Sequence, residues 1–193
     1  MKTLVWDVDD VLNNLMSDWY EHRWRRENSR STLGYNQISE NPPNRVLGIS
    51  MEAYLESLDA FRRSDGRSLE PDLEVLRWFE KQGHRFRHVA LTAVPIEFAD
   101  ISAAWVMRNF GKWIRSFHVI PSRSTDSTQD PYDKTKAEFL VRWGRADLVI
   151  DDNNAIIESV REIPLEAILW PRPWNQNKLL TRMNALESIT QLP

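Results

Sequence analysis

Residues 4–11 read Leu4-Val5-Trp6-Asp7-Val8-Asp9-Asp10-Val11. An apolar run passes without a break into a segment that carries three carboxylates. Such a run suits a parallel strand, whose two faces are both covered by helices. The acids then stand at the carboxyl end of that strand, where open α/β sheets bind their ligands. A second stretch repeats the pattern, because Asp147-Leu148-Val149-Ile150-Asp151-Asp152 also ends an apolar run in a pair of acids. If the two strands are neighbours, four or five carboxylates converge. Bare carboxylates a few ångströms apart repel, and some must protonate. A hard divalent cation with oxygen ligands removes the conflict, and magnesium suits a site of a few carboxylates, waters and a substrate phosphate. Helix N-capping is the competing explanation. It serves for Asp10 and for Asp152 taken singly. It explains neither why Asp7 and Asp9 both precede the helix nor why a second acidic pair ends another strand.

Working outward, short apolar runs alternate with helical periodicity, which predicts an α/β fold with a parallel sheet and crossover helices. Strands are expected at Leu4–Trp6, Phe86–Leu91, Phe117–Ile120 (stopped by Pro121), Leu148–Ile150 and Ala167–Trp170 (stopped by Pro171). Leu73, Leu76 and Phe79 mark one helix, with Pro71 near its start and Gly83 past its end. Phe98, Ile101 and Trp105 mark another, ending near Gly111. A third runs from about Lys134 to Trp143 and stops at Gly144, and a fourth follows Asn153. Roughly eighty residues separate the first two strands, far more than a crossover needs. Two amphipathic stripes lie in that interval: Leu12, Leu15, Met16, Trp19 and Tyr20, then Met51, Tyr54, Leu55, Leu58 and Phe61. A loop around Asn41-Pro42-Pro43-Asn44 divides them. The expected organisation is a core of residues 1–12 and 70–193, with a small helical cap, 13–69, inserted after the first strand. Ser122 to Pro131 is polar and rich in breakers, and is expected to be an exposed loop.

The 193 residues suffice for one α/β domain plus such an insertion. A formal charge of −3 argues against a general nucleic-acid coat. The chain has no cysteine, which excludes disulfides, thiolate metal sites and a Cys nucleophile. The apolar run after Met1-Lys2-Thr3 is too short for a signal peptide, and no stretch approaches a membrane span, so a cytoplasmic protein is expected. The four histidines show no metal spacing, and neither a Gly-rich phosphate loop nor a Ser-His-Asp order is visible.

Asp7-Val8-Asp9-Asp10-Val11 resembles the first signature of the haloacid-dehalogenase (HAD) superfamily, Asp-x-Asp-x-Val/Thr after the first strand. Val89-Ala90-Leu91-Thr92 resembles the second, a strand ending in Thr or Ser. Lys136, or alternatively Lys134, opens a helix as the third signature does. Asp151-Asp152 resembles the fourth in its paired form, and the four occur in the expected order over most of the chain. Asp10 stands where many members have Gly. The resemblance implies a Rossmannoid three-layer sandwich and a magnesium-dependent phosphatase. Asp7 would be the nucleophile and Asp9 the general acid and base. Thr92, Ala93 and Lys136 would bind the phosphoryl group, and Asp7, Asp9 (through its carbonyl), Asp151 and Asp152 would hold Mg2+.

The substrate is expected to be a small phosphorylated compound, with a nucleotide favoured. Trp19, Tyr20, Trp24, Tyr35, Tyr54 and Phe61 lie in or near the cap. Most would form its core, but one or two facing the site could stack on a base. Trp170-Pro171-Arg172-Pro173-Trp174-Asn175 contains a Pro-aromatic-Asn run that resembles bacterial relatives of the 5′(3′)-deoxyribonucleotidases. His22-Arg23-Trp24-Arg25-Arg26 is read as a solvated basic face of the first cap helix. As function it would meet a substrate phosphate or a nucleic-acid end. The alternatives to a nucleotidase are an end phosphatase of the same chemistry and a non-catalytic binding protein; intact Asp7 and Asp9 weigh against the latter.

Overall fold

A computed structural model describes residues 1–122, 133–175 and 181–193. The loop expected at 122–131 falls almost wholly outside them. The core is a five-stranded parallel sheet in the order β3-β2-β1-β4-β5. Its strands are β1 (Thr3–Trp6), β2 (Arg87–Val94), β3 (Ile114–Pro121), β4 (Leu148–Asp151) and β5 (Glu166–Leu169). The helices are α1 (Leu15–Trp19), α2 (Arg25–Glu27), α3 (Met51–Asp65), α4 (Leu73–Gln82), α5 (Ala99–Phe110), α6 (Lys136–Trp143), α7 (Asn154–Arg161) and α8 (Arg182–Thr190). This is an α/β three-layer arrangement, as the alternation of apolar runs predicts.

Period-two side-chain alternation divides the core between the two sheet faces. Leu4, Trp6, Leu148 and Ile150 pack with Phe79, Trp105, Phe110 and Ile189 of α4, α5 and α8. Val5, Val89, Leu91 and Val149 pack with Phe139 and Leu140 of α6 and Val160 of α7. Each fully buried aliphatic or Phe side chain contributes about 1.5–3 kcal/mol by leaving water. Caps fix the helix starts: Ser50, Asp72, Thr135, Asn153 and Thr181 accept hydrogen bonds from first-turn amides of α3, α4, α6, α7 and α8. Gly144, at φ +63°, closes α6 in the left-handed region that glycine tolerates.

Between β1 and α4 lies a helical segment. The chain leaves and returns side by side: Asn13 and Pro71 form an isolated antiparallel bridge, and Asp72 N donates to Leu12 O at 2.8 Å. The apolar side chains of this segment, Leu15, Trp19, Tyr20, Tyr54 and Phe61 among them, join the core cluster of the α4 face.

Several boundaries differ from the sequence expectation. β2 runs to Val94, so Thr92 and Ala93 lie inside the strand, not past its end; their ladder with Val119 and Ile120 of the equally long β3 sustains it. β3 starts at Ile114, ahead of the apolar run: Arg115 and Ser116 are both exposed, and pairing of Ile114 with His88 and of Ser116 with Val89 carries the strand back to that point. Helix α6 begins at Lys136 and not at Lys134, since Thr135 supplies the cap. The first cap helix starts at Leu15, leaving Leu12 in the preceding turn, and it passes through a π-helical turn (Tyr20–Trp24) before α2. Helix α8 has no counterpart in the sequence reading. Among the described residues no helix is long and apolar enough to cross a membrane.

His88 illustrates how the core constrains ionisation. Trp6 Nε1 donates to its Nδ1 at 3.1 Å, and its Nε2 faces the Gly83 carbonyl at 2.8 Å, an arrangement for the neutral ring. Burial lowers its pKa from 6.5 to about 4. The unfolded ring takes a proton that the folded ring refuses, so this contribution to stability is complete above pH 6.5 and is lost as pH falls toward 4. We expect His88→Gln, which keeps one acceptor and one donor, to flatten the acid limb of stability by about 3 kcal/mol across that window. Urea unfolding at several pH values checks this, and parallel profiles for the two proteins would rule it out.

Candidate active site

Strand register brings the two acidic stretches level. Trp6 lies opposite Ile150, and Asp7 N donates to Ile150 O at 2.9 Å, so Asp7 and Asp151 leave neighbouring strands at the same height. On the other side Trp6 lies opposite Ala90, which sets Thr92 one step beyond Asp7. Lys136, the first residue of α6, enters from the sheet face. Its Nζ lies 2.7 Å from Asp7 Oδ1 and 2.6 Å from Asp151 Oδ2, and its side chain is 3% exposed. Lys134 sits two residues earlier on the exposed approach to the helix, where its backbone N–H donates to Glu138 Oε2 at 2.7 Å.

Asp7, Asp151 and Asp152 each bring a carboxylate oxygen within 4.8 Å of the others, and all three residues are buried. Burial pushes the Asp7 carboxyl well above the ordinary range; Lys136 draws it back, while Asp151 and Asp152 push it further up. Asp152 is pushed up to about 8, by burial first and then by Asp151 and Asp10. Asp10 is held at about 7, chiefly by burial. Burial opposes the Lys136 charge, but Asp151 and Asp7 outweigh it and hold the lysine above its ordinary value. One ammonium therefore serves three clustered carboxyls, and the protein's own groups leave the cluster short of positive charge. A hard divalent cation with oxygen ligands fits this donor set, and thiolate-seeking or imidazole-seeking metals do not.

Asp9 points elsewhere. Its Oδ1 accepts from Asn13 Nδ2 at 3.1 Å, and its Oδ2 accepts from Arg62 Nη2 at 3.0 Å. Arg62 belongs to α3 and also reaches Asp59 at 3.4 Å. Asp10 adopts φ +63°, and its carboxylate accepts the Met16 amide at 3.0 Å, so it caps α1 from outside the helix although Asn14 is the formal N-cap. Asp152 caps nothing; Asn153 takes that role for α7.

A cavity of about 150 Å³ opens over the strand ends. Asp7, Asp9, Thr92, Ala93, Lys136, Asp151 and Asp152 line it from the core, and Tyr54, Leu58 and Arg62 from α3. Most cap aromatics are absent from it. Trp19 and Tyr20 are fully buried, Tyr20 stacks on Trp24 with centroids 5.2 Å apart, and Phe61 is buried in the same core. Of the six, Tyr54 lines the cavity, with Trp19 edge-on behind it at 5.3 Å. The basic run lies away from it: Arg25 pairs with Glu21 at 2.9 Å and Arg23 with Glu27 at 3.4 Å along the helix.

Arg62, Asn13, Arg172 and Trp174 contact the acids after β1 and β4; the sequence assigned no role to Arg62 or Asn13, and it named Arg172 and Trp174 only within a run that bears on substrate. Arg62 left a trace: Tyr54, Leu58 and Arg62 follow at i, i+4 and i+8, so a cation occupies the apolar stripe of its helix. Trp174 and Arg172 left none beyond the short run that contains them, because their contacts span 22 and 162 positions of sequence.

No protein-family model matches the sequence, and no curated protein matches it. Solved structures match over nearly the whole chain. A haloacid dehalogenase-like hydrolase from Streptococcus pneumoniae is 11% identical, with a TM-score of 0.59 over 99% of this chain and 91% of that one. A Bacillus subtilis protein described as a HAD-hydrolase, in a magnesium-bound structure, is 15% identical, with a TM-score of 0.56 over 97% and 96%. Protein tyrosine kinase A of Mycobacterium tuberculosis is 10% identical, with a TM-score of 0.64 over 99% and 98%. One fold thus carries names as different as hydrolase and kinase, so activity has to be argued from the site. What these likenesses establish is the fold: the chain folds as the haloacid-dehalogenase hydrolases do.

Proposed function

We propose that the protein is a phosphomonoester hydrolase that works through a phosphorylated Asp7 and requires magnesium. The observation that carries this reading is Lys136 Nζ, set between Asp7 at 2.7 Å and Asp151 at 2.6 Å, with Thr92 in the same cavity. Asp7 attacks phosphorus as the nucleophile. Thr92, the Ala93 segment and Lys136 hold the phosphoryl oxygens, and the lysine offsets charge as it develops. Lys136 takes this role because Lys134 lies on the exposed approach to the helix. Asp9 protonates the leaving oxygen and later takes a proton from the water that attacks the phospho-aspartate. Arg62 and Asn13 hold the Asp9 carboxylate at the mouth of the cap. Asp7, Asp151, Asp152 and the Asp9 carbonyl are the groups that would hold magnesium. When bound, the ion balances charge between nucleophile and phosphate.

In this reading residues 13–69 act as the substrate-selecting cap, and the preferred substrate is a nucleoside monophosphate. Tyr54 supplies the ring, since it is the cap aromatic that lines the cavity. A base stacked on such a ring gains about 1–3 kcal/mol. The cavity, at about 150 Å³, is smaller than the roughly 300–1,000 Å³ of common small-molecule sites. The cavity is open on one side, so a nucleoside seated on the strand ends extends past it along α3, beside the Arg62–Asp9 pair. A smaller phosphate ester is enclosed more fully and is the competing reading.

An aryl phosphate should be hydrolysed with magnesium and spared in excess chelator. Asp7→Asn should abolish turnover with the fold intact, and Asp9→Asn should cost about 10²- to 10⁴-fold. Near wild-type turnover by Asp7→Asn, followed in a steady-state assay, would remove the nucleophile assignment. For specificity, kcat/KM for nucleoside monophosphates should exceed that for sugar phosphates of equal charge by about tenfold, within the range that stacking supplies. Tyr54→Ala should erase that ratio. Equal turnover of sugar phosphates by the wild type would leave the phosphatase reading standing and end the nucleotidase one.

A further inference from the structure

We propose that Trp174 is a positioning residue for the Asp152 carboxylate, and that its indole N–H sets how tightly the acidic cluster holds a divalent cation. The inference rests on the metal-site reading above. Trp174 Nε1 donates to Asp152 Oδ2 at 2.8 Å, and both residues are buried. The adjacent Asn175 side chain donates to the Asp152 carbonyl at 2.8 Å and to the Trp170 carbonyl at 2.5 Å. Consecutive residues therefore hold the side chain and the backbone of one acid.

The loop that carries them is itself anchored. Arg172 N donates to Asn175 Oδ1 at 2.9 Å. The Arg172 guanidinium reaches the Asp10 carbonyl at 2.5 Å, the Asn14 side chain at 2.9 Å and the Asn13 carbonyl at 3.0 Å. These are the residues through which β1 passes into the helical insertion. The β5 exit loop is thereby pinned both to the turn after β1 and to the acid after β4.

The physical consequence concerns one torsion. An Asp carboxylate turns freely about its terminal bond unless something holds an oxygen, and a rotating carboxylate gives up ligand geometry. A directed N–H on Oδ2 fixes that rotation while Asp152 keeps an oxygen within the cluster of Asp7 and Asp151. Outer-shell partners of this kind are typically worth about 10- to 100-fold in metal affinity. The competing explanation is that the bond only satisfies a buried indole. The two can be separated, because the Trp174 ring also packs edge-on against Tyr35 at 6.3 Å, a contact that a phenyl ring retains.

The experiment is calorimetric titration of MgCl2 into the wild type, Asp152→Asn and Trp174→Phe, with thermal unfolding of each measured without metal. Trp174→Phe should weaken magnesium binding by about 10- to 100-fold, in the same direction as Asp152→Asn. A phenylalanine variant with a lower Tm and unchanged magnesium affinity would assign the bond to packing alone and overturn the proposal. No magnesium binding by the wild type would bring down the metal-site reading and this inference with it. Binding that Asp152→Asn weakens and Trp174→Phe does not would bring down only the inference. Should Trp174→Phe fail to fold, the wild type decides. With the indole resonances assigned, the Trp174 N–H signal must move along the magnesium titration, and a stationary signal during binding overturns the proposal.

Discussion

The arrangement depends on one buried ammonium. Lys136 sits between Asp7 and Asp151 at hydrogen-bond distance from both, in a place where a lone charge of either sign is costly. A pair of acids at two strand ends, without that lysine, would exist only with protons on them. With it, the segment after β1 and the end of β4 can stand side by side, and the first turn of α6 is tied to the sheet. The helix must start where it does for this to work. Thr135 caps the first turn, and Lys136 follows at once, so cap chemistry places the cation. A cation at a helix N-terminus opposes the helix dipole by about 0.3–1 kcal/mol, a cost far below what two carboxylates a few tenths of a nanometre away return in a low-dielectric site.

The lysine does not complete the balance. Three carboxyls cluster around one ammonium, and burial holds the Asp7 and Asp152 protons on above their ordinary range. A site designed only for stability would have replaced these acids, because well-packed apolar groups serve a core at least as well as buried ions. Their presence at the carboxyl edge of a parallel sheet is therefore the kind of stored electrostatic tension that marks functional sites.

The sheet and its acids were legible in the sequence for a local reason. Continuous apolar runs and the residues directly after them are adjacent in the chain, so β1 with Asp7 and β4 with Asp151 could be read without knowing the topology. Boundaries that depend on pairing were not legible. β2 continues through Thr92 to Val94 because β3 offers a partner along its length, and no pattern within residues 87–94 announces that. Helix α8 escaped for the opposite reason. Its stripe of Ala185, Leu186 and Ile189 is short and interrupted by Asn184 and Glu187, and it is held by packing against α4, through Trp78 to Thr190 at 2.8 Å. The aromatics divide along the same line. Composition says that the cap holds many rings, but only three-dimensional packing decides that Trp19, Tyr20, Trp24 and Phe61 are consumed by its core.

In the proposed reading, the division of labour between the sheet and the helical insertion follows from where rigidity is available. Asp7, Thr92 and Asp151 are fixed by β-ladders, and Lys136 by a capped helix start, so their mutual geometry is set by the core alone. Selection among substrates in the proposed reaction is left to the insertion, chiefly to the α3 face where Tyr54, Leu58 and Arg62 recur every fourth residue over the strand ends, with Leu15, Met16 and Asn41 beside it. Two of those three do ordinary work elsewhere in the family of contacts around them, since Tyr54 packs against Trp19 and Arg62 pairs with Asp9. The helix therefore cannot shift without disturbing both the cap core and the residue proposed as acid and base. In the proposed reaction, substrate choice and proton transfer meet at Arg62, which lines the cavity and pairs with Asp9. A change at Tyr54 then alters substrate preference by itself in the proposed reaction, whereas a change at Arg62 reaches Asp9 as well, with the carboxylates and Lys136 left as they are.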